Sequence, residues 1–305
     1  MNLKQFKDLI ENSGESQIYL NEDIIYAEVV DDFCENGDAM TINIINRKLT
    51  IDGNGHAIDK GCIMKLHNSA INFRNIHFKD NSTIYTGKSS SISFIDCKFT
   101  QSKIDNQISG HSFISGCVFK KNSRIRISGK LLLENTIFEN NSTYGEHMIK
   151  SNSIIIENCS FKNNSNVLNV SNGQIKDTAF ENNQNVIRIF YGFRNNHLTL
   201  ENCIFKNNTT TKFAHIIQCH NSEVDIDNCT FENNISNNSQ IIISKESCLN
   251  LNNTTFEGEN SNVIQCVGEL NIHECKFKKH HEINRKSVFE VYKRESEFLK
   301  RINMS

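Results

Sequence analysis

The sequence contains no proline and no tryptophan, and only 14 of its 305 residues are glycine. Proline has no N–H to donate, so its absence suits a chain in which nearly every position lies in or beside a hydrogen-bonded ladder. No Pro/Gly/Ser-rich linker interrupts the chain, which argues for one extended architecture in place of two ordinary domains. No apolar run long enough to span a membrane as a helix occurs. Charge excess is missing as well: 33 Lys+Arg against 35 Asp+Glu leave a formal net charge of −2, which argues against nucleic-acid binding through a basic face. The opening residues, Met1 to Asp8, place Lys4 and Lys7 in an amphipathic pattern with no apolar segment after them, so no secretory signal is visible. As written the chain reads as cytoplasmic, and as a cell-surface protein if it is a piece of a larger one.

What the sequence has in abundance is asparagine, at 45 positions, with 20 Phe and 11 Cys. The phenylalanines organise the rest. Phe78, Phe99, Phe119, Phe138, Phe161, Phe180, Phe205, Phe231, Phe256 and Phe277 follow one another at intervals of 19 to 26 residues. Five residues before each stands an apolar side chain in ten cases of ten, and seven before in eight, with Ser112 and Gly173 the exceptions. A period near 22 with short alternating stretches marks a solenoid.

The parity within a repeat is informative. Positions −7 and −5 share one face of a strand, whereas −5 and −2 do not, so a turn falls at −4/−3. Position −3 is Asn or Asp in eight repeats (Asn75, Asp96, Asn135, Asn158, Asp177, Asn202, Asn228, Asn253), residue types that tolerate the left-handed region. Position −2 holds six cysteines and three threonines, compact residues suited to one crowded interior column. Position +3 is Asn in seven repeats and predicts a second Asn corner closing the strand. Apolar stretches such as Val167/Leu168/Val170 and Val186/Ile187/Ile189 fill the rest of each repeat, giving about three short strands.

This pattern predicts an all-β fold, a single-stranded right-handed parallel β-helix of eleven or twelve coils whose stacked Asn amides form ladders. A leucine-rich repeat competes through Leu198-Thr-Leu200-Glu-Asn202, but its Asn comes one residue early and no convex helical segment follows. Terminal coils need covers. Residues 1–12 are predicted as an N-terminal capping helix, from Leu3, Phe6, Leu9 and Ile10 on one face. Residues 13–279 are predicted as the β-helix. Residues 280–305 are predicted as a charged C-terminal helical cap, from Val288, Phe289, Tyr292, Leu299 and Ile302 at helical spacing.

Ile51-Asp-Gly-Asn-Gly-His-Ala-Ile58, a lone N-terminal helix before it and the Phe-Lys-Asn-Asn and Phe-Glu-Asn-Asn tetrads after it carry a family likeness. The chain resembles the right-handed β-helix proteins of the pectate-lyase-like superfamily over residues 1 to about 280. It is similar in particular to the adhesin-like proteins of methanogenic archaea and to the Phe-x-x-Asn repeats of polymorphic outer-membrane adhesins. The resemblance implies a scaffold with a polysaccharide or a cell-surface protein as partner. It equally admits a lyase or hydrolase of acidic polysaccharides, or a trimeric tailspike-like module, because this fold hosts all of them.

For chemistry, the resemblance to pectate lyases implies an Asp cluster for calcium and an arginine base. The residues of those types are Arg124, Arg126, Arg188, and the pair Asp225/Asp227, which alternate outward on one strand. Outward charges are also what any soluble strand presents, so no catalytic residue is assigned. Gly55-His56 lacks the second glycine of a polygalacturonase turn, and Gly53 and Gly55 are read as serving turn geometry. His273, Cys275, His280 and His281 match no zinc spacing, and His215, Cys219 and His220 lie on a strand and turn where their side chains diverge. No metal site and no cofactor are expected. Stacked cysteines such as Cys97/Cys117 and Cys203/Cys229 stand at strand spacing, wider than a disulfide prefers, so all eleven thiols are expected to be free.

Overall fold

A computed structural model describes residues 1–25, 40–59, 62–80, 82–87, 89–101, 103–106, 111–122, 124–127, 129–143, 146–189, 196–211, 215–236, 240–258, 262–278 and 289–292. It is an all-β parallel β-solenoid in two compact units, Met1–Tyr144 and Gly145–Ser305.

The first unit opens with the helix Leu3–Asn12. Its N-cap Asn2 accepts from the Gln5 N–H while the Gln5 side chain accepts from the Asn2 N–H, a reciprocal capping box. Leu3, Phe6 and Ile10 are buried. Helix and first coil are tied through polar groups too: Lys7 Nζ donates to the Thr41 carbonyl at 2.9 Å, the Asn43 N–H donates to Glu11 Oε1 at 2.7 Å, and the Arg47 guanidinium reaches the Ile10 and Glu15 carbonyls. Each following coil contributes three strands, as in Thr83–Thr86, Ser91–Ile95 and Lys98–Thr100. Every strand pairs parallel and in register with its equivalent one coil on, so Phe78, Phe99, Phe119 and Phe138 are mutual partners. Their rings stack face to face with centroids 4.5–4.7 Å apart.

In the second unit Phe161, Phe180, Phe205, Phe231, Phe256 and Phe277 repeat that arrangement, with centroids 4.6–5.0 Å apart. The other two strands of a coil run on into one another in Ile149–Glu157, Leu168–Lys176, Gln240–Asn252 and Asn262–His273. They stay separate as Ile187–Ile189 with Asn196–Glu201, and as Ile217–His220 with Ser222–Asp227. Two arms of sheet thus meet at a bend, marked by Asn221 at φ 49° and Glu246 at φ 51°.

The corner at −3 is as the parity requires. All eight Asn/Asp residues there have φ between 47° and 54°, and the two exceptions, Gly116 and Glu274, have φ 64° and 53°. The second corner is displaced from its expected place. The left-handed residue is at +2 (Asn140, Asn163, Asn182, Asn207 and Asn233, φ 53–56°), and the Asn at +3 turns inward and is buried. Once inside, its amide must be satisfied by protein. In the second unit the N–H groups of Asn164, Asn183 and Asn208 donate to the Oδ1 of Asn183, Asn208 and Asn234 at 2.9–3.0 Å. The Nδ2 of Asn183, Asn208 and Asn234 donate to the carbonyls of Phe161, Phe180 and Phe205 at 2.8 Å. Asn122 and Asn141 form the same ladder in the first unit.

Two further expectations change. The solenoid has about nine turns, not eleven or twelve. Nine repeat phenylalanines are fully buried, four in the first unit and five in the second, while Ile58 takes the ring's register at one end and Phe277 is only half-buried. Dividing the length by 22 overcounts because later coils are longer and the terminal segments are not coil. Within the segment expected to form a C-terminal helical cap, Phe289–Tyr292 is a strand paired parallel with Ile264–Val267. An open strand edge offers that segment backbone partners that a helix would leave unpaired. The remainder of 280–305 lies outside the described residues. No helix among the described residues is long and apolar enough to cross a membrane.

None of the ten described cysteines is in a disulfide; Cys34 lies outside the described residues. Burial pushes the Cys62 thiol up to about 12 and raises that of Cys117. A thiol titration of the denatured protein is therefore expected to count eleven, and in the native protein Cys248, the half-buried one among the ten, is expected to react first. For the ladder, Asn208→Leu removes two accepted and two donated hydrogen bonds at a buried site and is expected to cost about 3 kcal/mol in urea unfolding. Asn228→Ala, on the exposed outer corner, is expected to cost about 1 kcal/mol.

Candidate functional site

The sheet arm after the bend in the second unit is built so that −7 and −5 point inward and −8 and −6 point outward. Leu198, Leu200, Val224, Ile226, Leu249 and Leu251 fill the interior. That parity pushes polar side chains out in columns fixed by the register. His197, Glu223, Cys248 and Glu269 form one column, and Thr199, Asp225, Asn250 and Asn271 the next.

These columns are tied by one chain of hydrogen bonds. His197 Nε2 and Asp225 Oδ2 are 2.6 Å apart, the imidazole donating to the carboxylate in the tautomer that carries its proton on Nε2. Asn250 Nδ2 donates to Asp225 Oδ1 at 2.7 Å, and Asn271 Nδ2 donates to Asn250 Oδ1 at 2.9 Å and to Glu269 Oε1 at 3.1 Å. The His197 backbone N–H donates to Asn172 Oδ1 at 2.8 Å. Against the bend lies a shallow groove of about 370 Å³, lined by Asn196, His197, Ser222, Glu223, Glu246 and Cys248, with Asn221 and Ser247 completing it. Burial, then the carboxylates of Glu269, Glu223 and Asp225, raise the Cys248 thiol above its ordinary value, so it is not a thiolate nucleophile at neutral pH.

One ligand atom each from His197, Glu223 and Asp225 lie within 4.8 Å of one another, close enough that the three could hold a cation. The sequence singled out Asp225 and Asp227 and expected no metal group. Both aspartates do face outward on Ser222–Asp227, but the partners of Asp225 are His197 and Asn250, neither of which was singled out. The signal that finds them is the alignment of repeats at −8 and −6, which brings residues 25 to 28 apart in sequence onto one spot.

The other candidates do not join this site. Arg188 stands on the arm before the bend, in register with Asn169 and Gln218. Arg124 and Arg126 lie in the first unit on Arg124–Ile127. His56 is 3.2 Å from Asp23, whose Oδ1 also accepts the Ala57 N–H at 2.9 Å. That backbone N–H is the main reason the Asp23 carboxyl sits below its ordinary range. A Cβ at Gly53 would fall 2.5 Å from the Asn75 carbonyl oxygen, and Gly55 has φ 85°, so both glycines serve the turn. His215, Cys219 and His220 are all buried and, among the described residues, do not assemble a three-ligand group. Cys275 is buried and His273 exposed, while His280 and His281 lie outside the described residues.

Residues 107–256 match the family model described as "right handed beta helix region". That stretch is a right-handed β-helix. No curated protein matches the chain in sequence. Solved structures similar to the β-helix include the A-module of the mannuronan C-5 epimerase AlgE6 of Azotobacter vinelandii, at 11% identity over 94% of this chain and 93% of that one, with TM-score 0.36. The surface protein and adhesin PfbA of Streptococcus pneumoniae is 8% identical over 82% and 90%, with TM-score 0.26. A mannuronic acid specific polysaccharide family 6 lyase from human gut microbiota is 12% identical over 96% and 90%, with TM-score 0.28.

Two histidines on the arm before the bend titrate unusually. Burial, then Arg188 and Lys150, lower the His147 pKa to about 4. Burial, then Lys245, Arg188 and His215, lower that of His220 to about 4 as well. Between the ordinary value of 6.5 and about 4 the unfolded chain binds protons that the folded β-helix refuses. Their contribution to stability is therefore complete above pH 6.5 and lost as pH falls towards 4. Thermal melts are expected to show Tm declining across that window, and His220→Asn to make the decline shallower.

Proposed function

We propose that the β-helix is a binding scaffold whose working surface is the groove of the second unit, and that its ligand is a neutral or amino-bearing polysaccharide. The observation that carries this reading is the fixed chain His197–Asp225–Asn250–Asn271–Glu269, which presents amides and carboxylates at strand spacing, about 4.8 Å. Hydroxyl-rich ligands are held by such side chains, each already oriented by its neighbour, at little cost in ordering. The charge of the groove selects among sugars. Glu223 and Glu246 in its lining, with Asp225 beside Glu223, make it acidic, so a polyuronate would meet like charges, whereas a neutral glycan meets acceptors and an amino sugar meets counter-charges.

A second reading, a carbohydrate-active enzyme, is favoured by one observation: His197 is hydrogen-bonded to Asp225 beside a second carboxylate, Glu223. An imidazole oriented by a carboxylate is the usual form of a general base.

Calorimetric titration with a neutral glucan, a chitosan oligosaccharide and a polyuronate separates these readings. Binding of one of the first two, weakened about tenfold (about 1.4 kcal/mol) in Glu223→Gln/Asp225→Asn, is the expected result. Binding of none of them by the native protein overturns it. New reducing ends or unsaturated sugar that vanish in His197→Ala would put the enzyme in place of the scaffold.

A further inference from the structure

The outward columns beside the bend of the second unit hold acid without a matching base. Glu223 and Glu246 line the groove, Asp225 and Glu269 stand in register beside it, and no lysine or arginine is among the lining residues. The Glu223 carboxylate takes part in no hydrogen bond or ion pair among the described residues. Carboxylates this close repel one another unless a cation comes between them.

His197 sets this cluster apart from an ordinary acidic patch. Glu223 and Asp225 are two apart on Ser222–Asp227 and so share its outer face, and His197 is the register partner of Glu223 on Asn196–Glu201. The imidazole Nε2 is 2.6 Å from Asp225 Oδ2, and with an oxygen of Glu223 the three ligand atoms lie within 4.8 Å of one another. Zinc takes imidazole nitrogen and carboxylate oxygen at about 2.0–2.2 Å, so its ligand atoms stand roughly 3–4 Å apart. A small turn of the exposed His197 and Glu223 side chains closes that set. Asp225 is already oriented, because Asn250 Nδ2 donates to its Oδ1 at 2.7 Å and leaves Oδ2 towards the imidazole.

We propose that His197, Glu223 and Asp225 bind one divalent transition-metal ion, with zinc the ion whose donors these are. An imidazole ligand separates this class from calcium and magnesium, which take oxygen ligands. In the tautomer that carries its proton on Nδ1, the Nε2 lone pair is free, and the ion takes the place of the hydrogen bond to Asp225. Three protein ligands leave a tetrahedral ion one position for water or for a ligand atom. Cys248 is the register partner of Glu223 one coil on but is not a member of the three-atom group, so the thiol is not a ligand. The metal site does not rest on the glycan reading, since the ion binds with no sugar present.

Calorimetric titration of the full chain, first freed of metal by a chelator, with zinc chloride and separately with calcium chloride tests this. One equivalent of zinc is expected to bind, and calcium at least tenfold more weakly. His197→Ala and Asp225→Asn are each expected to weaken zinc at least tenfold and Glu223→Gln several-fold, with circular dichroism unchanged because all three side chains lie on the outer face. Cobalt(II) in place of zinc is expected to show visible absorption that His197→Ala loses. Cys248→Ser is expected to bind zinc like the native protein. The site is overturned if no zinc binds or if His197→Ala binds it as tightly as the native protein. It is overturned equally if Cys248→Ser loses zinc, which would assign the ion to the thiol, or if calcium binds as tightly as zinc, which would leave an oxygen-only acidic patch. Each of these outcomes is read without sugar and leaves the glycan reading to its own titration.

Discussion

Everything in this structure depends on the need to satisfy buried backbone N–H groups at the corners, where a strand ends and its ladder lapses. Two side-chain columns meet that need. At +3 the Asn Oδ1 of one coil accepts both the N–H and the amide of the coil before it, and its own amide caps the carbonyl of a stacked phenylalanine. At −2 the γ atom does the same work. The N–H of Cys97 donates to Cys117 Sγ, that of Cys117 to Thr136 Oγ1, that of Cys159 to Thr178 Oγ1 and that of Cys229 to Thr254 Oγ1, at 3.3–3.4 Å. Cysteine and threonine share little but size and an electronegative γ atom, and that atom is why they alternate here. The thiol's own proton goes back to a carbonyl two residues earlier, as from Cys97 to Ile95.

Such ladders work only if equivalent residues stack in register, which in turn fixes what faces out. One slip would put every phenylalanine on the surface. The outward columns are therefore a by-product of core packing: Leu198, Val224 and Leu249 inside force His197, Glu223 and Cys248 outside, one strand apart. A groove of this kind needs no loop to build it. It also explains why its side chains are so well connected by hydrogen bonds while half-exposed, since strand spacing brings an outward amide within reach of the next.

The fold was legible in the sequence because its period is carried by residues with no freedom to vary: Phe for the stack, Asn or Asp for a left-handed corner, Cys or Thr for the γ-atom column. The second Asn was misplaced by one residue, for a physical reason. Asn serves equally as a left-handed corner and as a buried amide ladder, and the Asn-Asn pairs at +2/+3, such as Asn163-Asn164 and Asn207-Asn208, contain one of each. The C-terminal strand Phe289–Tyr292 was misread as helix because spacing along the chain carries no information about an unpaired strand edge nearby. The groove was half legible. Asp225 was found by its parity on a single strand, but its partners His197 and Asn250 lie 28 and 25 residues away, and only the register between coils joins them.

The bend separates two chemistries on strands that are otherwise continuous. In Gln240–Asn252 the chain passes from Lys245, on the cationic side, through Glu246 at φ 51° to Cys248 among the carboxylates. A left-handed residue at the bend reverses which parity faces out, as Lys245/Ser247 do where the register shifts. Charges on the two sides thus point from different faces and do not neutralise each other through short ion pairs. Arg188 and Asp225 lie on opposite sides of the bend, on Ile187–Ile189 and Ser222–Asp227.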